Sequence, residues 1–356
     1  MNLINRIILE DYRKNRDDFL ALESVVDKIL HKIVDDSKLV VFGIEHRVKT
    51  EKSLAGKLER SGDWYRSFDE LTDILGARVI CYFNDDVDKI GEAVEKNFEI
   101  DRENSSDKRA LIKTDTFGYL SLHFICSLPR GAGYPDNICG KKFEIQIRTI
   151  LQHAWAAINH DLGYKSEFGV PREYAREFSR LAGLLEIADD EFMRVRDGMH
   201  AYADDVRRRI TENCADDVAI NTISLSEFVK RNKPMRKLVE KIAAIGNAEI
   251  QETGVENYVE QLSALGITEL GALQKAVAKD SDLAYALAEK SLASADLDIL
   301  SSSVGLRFLC RAELLNGNYT EDQAAKFLEL SCGSKERAAR TAKRLFAQYR
   351  LIKENQ

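Results

Sequence analysis

With 356 residues, 44% of them apolar and 31% charged, the chain has enough material to bury two cores and too much apolar content to remain disordered. A formal net charge of −7 argues against broad, nonspecific attraction to nucleic acid, and no run approaches the roughly 18 consecutive apolar residues of a membrane span. The opening MNLINRIILEDYRKNRDDF sets acids where a secretion signal needs an apolar run, so the expectation is a cytoplasmic protein with no membrane partner. Six cysteines (Cys81, Cys126, Cys139, Cys214, Cys310, Cys332) stand apart without a C-x-x-C pair, which predicts buried free thiols rather than a zinc site or a disulfide framework.

Apolar residues from Ile8 to Ile33 recur at helical spacing and predict one long or broken helix. The segment HRVKTEKSLAGKLER (46–60) puts Arg47, Lys49, Lys52 and Lys57 at the start of the next helix, where they form either a solvated basic face or a grip on a triphosphate. ILGARVICYF (74–83), YLSLHFICSL (119–128) and KFEIQIRT (142–149) are β-branched, apolar runs that predict central strands of one sheet. DDVDKIGEAVEKN (85–97) between the first two predicts a crossover helix. After Thr149 the chain turns helical: ILQHAWAAINHDLGY, then a long segment from Glu173 to about Asn213, with Pro171 at the first helical position. Beyond Thr222 short helical stretches alternate with glycine breaks, so the tail reads as all-helical. The expected division is 1–215 for an α+β domain with its flanking helices and 216–356 for a helical domain.

Three of the strands carry polar residues that a buried strand needs a reason to hold. In Asp73-Ile74-Leu75-Gly76-Ala77-Arg78, alternation puts Gly76 and Arg78 on one face, and the missing side chain leaves room beside the guanidinium for a ligand. A buried Asp73–Arg78 ion pair is the alternative. In the second strand run His123 shares a face with Tyr119 and Ser121, where the ring offers a stacking surface or simply fills the core. In Phe143-Glu144-Ile145-Gln146-Ile147-Arg148-Thr149 one face is wholly polar; the apolar helix that follows favours an interior strand lining a cleft over an exposed edge.

The order R-x-K-x(3)-S, D-x-x-G-x-R, G-Y-x-S-L-H, E-x-Q-x-R-T and H-A-W-x(4)-H-x-x-x-Y-K resembles the synthetase domain of the RelA/SpoT family across about 120 residues. The resemblance implies a mixed five-stranded sheet flanked by helices, and an enzyme that moves the β,γ-pyrophosphate of ATP onto the 3′-hydroxyl of GDP or GTP to make (p)ppGpp-type alarmones. By that resemblance Arg47 and Arg78 would enclose the adenine of ATP, and Lys49 and Lys57 would hold its phosphates. Asp73 and Glu144 would bind Mg²⁺, with Glu144 also taking the proton of the attacking hydroxyl. Tyr119, His123, Gln146 and Arg148 would form the acceptor side. Possible self-association belongs to the same expectation.

The chain departs from the family pattern at Asp115, Leu120 and Asn159, where guanosine-alarmone synthetases commonly carry Lys, Arg and Glu. These changes bear on the acceptor, so a toxin-like relative acting on tRNA 3′ ends or adenosine nucleotides, and a non-catalytic nucleotide sensor, stand as alternatives. About 40 residues precede Arg47, too few for the hydrolase domain of long family members. In the last helix Arg337, Arg340 and Arg344 form one stripe, either a solvated face or a contact for phosphate.

Overall fold

The computed structural model describes residues 2–62, 64–107, 121–164, 172–293 and 297–354. It contains two compact units, Met1–Arg196 and Asp197–Gln356. The units divide within a helix, upstream of the 215/216 position suggested by the sequence, because Val206 and Ile210 on that helix's last turns are buried in the second core.

The first unit begins with α1 (Leu3–Ser37), capped by the Asn2 side chain, which accepts from Asn5 N at 2.8 Å. Ile8, Leu9, Tyr12, Phe19, Leu22, Val26, Leu30 and Ile33 make its buried stripe, in a single unbroken helix. Next come β1 (Val41–Val48), α2 (Glu51–Ser61), β2 (Leu75–Cys81), α3 (Asn84–Asn97), β3 (Glu99–Ile100), β4 (Ser106–Asp107), β5 (Leu122–Ser127), β6 (Phe143–Thr149), α4 (Ile150–Tyr164) and α5 (Arg172–Thr211). The sheet follows the five-strand path β1-β2-β6-β5-β3, with the two-residue β4 added on β5. β2 and β6 run parallel and the other pairings are antiparallel, so the sheet is mixed.

β1 is an element that the sequence reading did not anticipate. Residues 46–48 belong to this strand rather than to the start of a helix, and of the four cations Arg47, Lys49, Lys52 and Lys57 only the last two lie on α2. Alternation along β1 separates its polar residues by face. His46 turns to α1, its ring nitrogens 3.0 Å from Glu23 and 3.2 Å from Asp27, whereas Glu45 and Arg47 project from the opposite side. On the α1 side Ala77, Val79, Phe143, Ile145 and Ile147 are fully buried. That burial fixes the register, since a slip of one residue would exchange this apolar face for the polar one.

The second unit holds α6 (Thr222–Arg231), α7 (Lys233–Ile245), β7 (Glu249–Gln251), α8 (Glu256–Ala264), α9 (Leu270–Leu292), β8 (Ile299–Ser301), α10 (Val304–Asn316), α11 (Glu321–Cys332) and α12 (Lys335–Glu354). Capping boxes at Asn221/Ser224 and Thr320/Gln323 start α6 and α11. Gly333, at φ 66°, provides the left-handed residue that turns α11 into α12. The unit is not all-helical as expected: β7 and β8 form a short parallel pair. Each is only three residues long, too short for the sequence period to register. Four of the six cysteines are buried, but Cys214 is exposed and Cys332 partly so, which corrects the expectation of uniformly buried thiols.

Candidate active site

Strand register assembles the polar face in rows. Arg47 pairs with Gly76, and Gly76 with Glu144; the next row runs Glu45, Arg78, Gln146 and His123; Ile80 pairs with Arg148. Residues from four separate segments thus lie side by side. A cleft of about 550 Å³ opens over the first rows and is lined by Glu45, Arg47, Lys49, Asp73, Gly76, Arg78, Glu144 and Gln146, among others. Six of the ten residues singled out in the sequence reach this cleft directly. A Cβ built on Gly76 meets nothing within 4 Å, so the space that the sequence suggested beside Arg78 is there.

Two carboxylates face the cleft with different partners. Asp73, just before β2, lies between two ammoniums: Lys49 Nζ at 2.8 Å from Oδ2 and Lys57 Nζ at 2.8 Å from Oδ1. Burial pushes the Asp73 carboxyl up, but the charges and hydrogen bonds of Lys49 and Lys57 outweigh it and hold the group below the usual carboxylate range. Lys49 is itself fixed through both of its main-chain polar groups, its N–H donating to Ile74 O at 2.7 Å and its carbonyl accepting from the Tyr12 hydroxyl at 2.5 Å. Lys57 also lies 5.0 Å from the centre of the Tyr65 ring. The ion pair considered between Asp73 and Arg78 is not formed. Arg78 instead donates from Nε to Gln146 Oε1 at 3.1 Å and approaches Glu45 at 3.5 Å.

Glu144, on β6, is held by His123 and Gln146. His123 Nδ1 lies 2.7 Å from Oε1, and Gln146 Nε2 donates to Oε2 at 2.9 Å. Facing a carboxylate, Nδ1 must carry the proton; in the neutral ring Nε2 then accepts from the Ser121 hydroxyl, 2.7 Å away. Burial raises the Glu144 carboxyl, yet His123 and Gln146 reverse the effect and keep it below its ordinary value. Gln146 Oε1 accepts from both Arg78 and Arg148, so one carboxamide joins two guanidiniums to Glu144. Burial and the nearby Arg78 charge lower Arg148 to about 10, and its Nε has no partner.

Sequence reasoning missed Glu45, and it weighed His153 only as a metal ligand paired with His160. Glu45 was assigned to no strand, so its alternation with His46 was invisible. His153 on α4 has a buried Nδ1 without a partner. Burial, with Arg148 and Arg78 close by, lowers its imidazole below the ordinary value against the opposing pull of Glu45. Tyr119, Asp115 and Leu120 lie outside the described residues, as does the His160 side chain.

Among the described residues no group of three or more His, Cys, Asp or Glu side chains is arranged to hold a metal ion. Asp73 and Glu144 suit a different binding mode. A hard cation such as Mg²⁺ takes one or two carboxylates and completes its shell with phosphate oxygens and water. Both carboxyls are ionised, and both line one cleft beside the phosphate-binding type of cation, Lys49.

Residues 46–168 match the family profile described as "Region found in RelA / SpoT proteins". GTP pyrophosphokinase YwaC of Bacillus subtilis (strain 168) is 26% identical over 202 residues, which cover 54% of this chain and 93% of that protein. GTP pyrophosphokinase YjbM of the same organism is 28% identical over 175 residues, 48% of this chain and 78% of that protein. Among solved structures, small alarmone synthetase 2 from Bacillus subtilis is similar over 52% of this chain and 97% of its own, at 25% identity and a TM-score of 0.45.

Proposed function

Taking residues 46–168 as the RelA/SpoT region that they match, we propose that this chain is an ATP-dependent diphosphotransferase that makes (p)ppGpp-type products from GDP or GTP. The reading rests on one observation: two ionised carboxylates, Asp73 and Glu144, share a cleft with Lys49, Arg47 and Arg78. Phosphoryl transfer asks of a protein chiefly positioning and charge compensation, and these groups supply both.

In this proposal the bond between the α- and β-phosphates of ATP breaks as a bond forms from the acceptor's 3′-oxygen to the β-phosphorus. AMP leaves with the electron pair. Glu144 receives the hydroxyl proton, and its two bonded neighbours, His123 and Gln146, aim it. Arg47 and Arg78, on adjacent strands, would enclose adenine across the space left by Gly76. Lys49 and Lys57 would turn from Asp73 to the phosphates, which releases the Asp73 carboxylate, with Glu144, to hold Mg²⁺. The cation supplies charge neutralisation for the transferred group. His123, Gln146 and Arg148 line the acceptor side, and Tyr119 would stack on the acceptor base. A cytoplasmic setting fits these substrates; no described helix is long and apolar enough to cross a membrane.

Labelled ATP, incubated with GDP, GTP, ATP or tRNA, tests both the reaction and the acceptor. Transfer to GDP or GTP with release of AMP is expected, and Asp73→Asn or Glu144→Gln should each reduce it by at least about 10³-fold. Near-normal turnover in either variant, or transfer to tRNA alone, would overturn this reading. Tyr119→Ala should raise the acceptor KM and leave ATP binding close to wild type.

Self-association is proposed through α5, where Leu181, Leu184, Ile187, Phe192 and Val195 are each more than half exposed. Leu184→Glu with Phe192→Glu should shift the mass measured by light scattering from oligomer to monomer. A wild-type monomer would end that proposal.

A further inference from the structure

The second unit contains a pocket that the transfer chemistry does not use. It occupies about 250 Å³ among α8, α10 and α11, and its lining includes Tyr258, Gln261, Arg307, Arg311, Ser331 and Cys332. This is below the roughly 300–1,000 Å³ of pockets that enclose a drug-sized molecule, so it suits a compact group.

Its charge is one-sided. Arg311 lies inward on α10 with its guanidinium 5.2 Å from the Phe308 ring centre. Arg307, one turn earlier on the same helix, opens to solvent, and Arg344 on α12 is exposed nearby. Burial, Arg307 and Arg344 together lower the Arg311 guanidinium to about 10. Among the described residues no carboxylate pairs with any of the three arginines; the acidic groups that act on Arg311 are only Cys332 and Tyr258. In the same unit Arg231, Arg236 and Arg207 each find a Glu or Asp partner, which the arginines about this pocket do not. Arg311 is thus desolvated and repelled by two neighbouring guanidiniums, with no counter-charge beside it. An anion relieves both costs, and a planar fork of N–H donors matches phosphate oxygens in pairs.

We propose that the pocket lined by Arg307 and Arg311, with Arg344 at its rim, is a binding site for a small phosphoryl anion of at least two negative charges, separate from the catalytic cleft. Gln261 and Ser331 add polar groups at the wall, and Tyr258 and Phe327 add ring surface. Of the arginine stripe on α12, Arg344 is the member that belongs to this site; Arg340 bonds to its own helix at Glu336 O. The anion is either free phosphate or pyrophosphate, or the phosphate end of a nucleotide.

Cys332 lines the pocket and provides a local readout that phosphate binding in the catalytic cleft cannot mimic. Alkylation of Cys332 in the full chain is followed by peptide mass spectrometry, without divalent cation and at fixed ionic strength. Sodium pyrophosphate should slow the modification at least five-fold and saturably, sodium acetate should not, and the exposed Cys214 should be unaffected by either. Arg311→Gln should raise the protecting concentration at least ten-fold. Arg307→Gln with Arg344→Gln, at two exposed positions that carry no packing, should do so several-fold should Arg311→Gln prove unfolded. Protection by ADP at lower concentration than pyrophosphate identifies the nucleotide source; equal or weaker protection identifies the free anion. Either supports the site. Protection that acetate matches, protection by RNA alone, or unchanged protection in both variants would overturn it.

Discussion

Gly76 controls the cleft more directly than any charged residue, because it contributes only absence. It lies in a row between Arg47 and Glu144, and the position where its side chain would start is open space. Gly76→Val should therefore fold at least as well as the parent, since a β-branched residue suits a strand, while ATP affinity falls by at least about ten-fold from steric exclusion alone. Titration calorimetry with a non-hydrolysable ATP analogue, paired with a melting curve, separates the two effects. Unchanged affinity would mean the nucleotide base lies elsewhere. The carboxylates act differently: Asp73 and Glu144 each depend on neighbours that the chain brings from 16 to 24 residues away or from another strand.

At the scale of elements, what fixes the second unit is the close approach of backbones. Gly271, in the first turn of α9, donates its N–H to Asp216 O at 3.1 Å, and a Cβ there would meet that oxygen at 2.7 Å and Asp216 Cα at 2.8 Å. The obstacle is main chain, which cannot swing aside as a side-chain tip does. Gly271→Ala should accordingly destabilise the unit by about 2–3 kcal/mol, despite alanine's better helix propensity. Urea unfolding followed by circular dichroism measures the loss; a more stable variant would show that the segment ahead of α9 shifts freely. In the first unit the comparable device is register, for β2 and β6 present a row of polar groups only because their alternate residues are completely buried.

For the molecule as a whole, pH acts through carboxyls displaced in opposite directions. Asp85 is raised by burial but drawn down, by Arg196 and Lys89, to about 2, so its contribution is complete above the unfolded value and is lost as pH falls through about 2. Glu313 runs the other way. Burial and its bond with the nearly inaccessible Asp280 lift it to about 7, against the smaller pull of Lys279. A raised carboxyl favours the folded state fully below its unfolded value near 4.5, and that support disappears as pH rises through about 7. Burial and Asp190 lift Asp189 to about 7 as well, with the same sign. Thermal stability should thus decline between pH 5 and pH 8, and Glu313→Gln should flatten the decline by removing the charge that appears. An identical slope in the variant would exclude Glu313 as its source.

The sequence by itself determined which residues were candidates for the site, and much of the fold. Three strands, the crossover helix and the first long helix were legible because their apolar periods extend over six or more residues, long enough to stand out. Asp73, Arg78, Glu144, Gln146 and Arg148 were legible because a polar or charged residue inside or just beside such a run has no structural reason to be there. Tertiary structure decided the pairings. That Asp73 engages two lysines rather than Arg78, that Glu45 and Arg47 share a strand face, and that His123 holds Glu144 all follow from register between strands distant in the chain, which no local period encodes. The three arginines about the pocket of the second unit were equally out of reach. Each reads locally as an ordinary solvated cation, and only the packing of α10 against neighbouring helices leaves Arg311 inward and without a carboxylate.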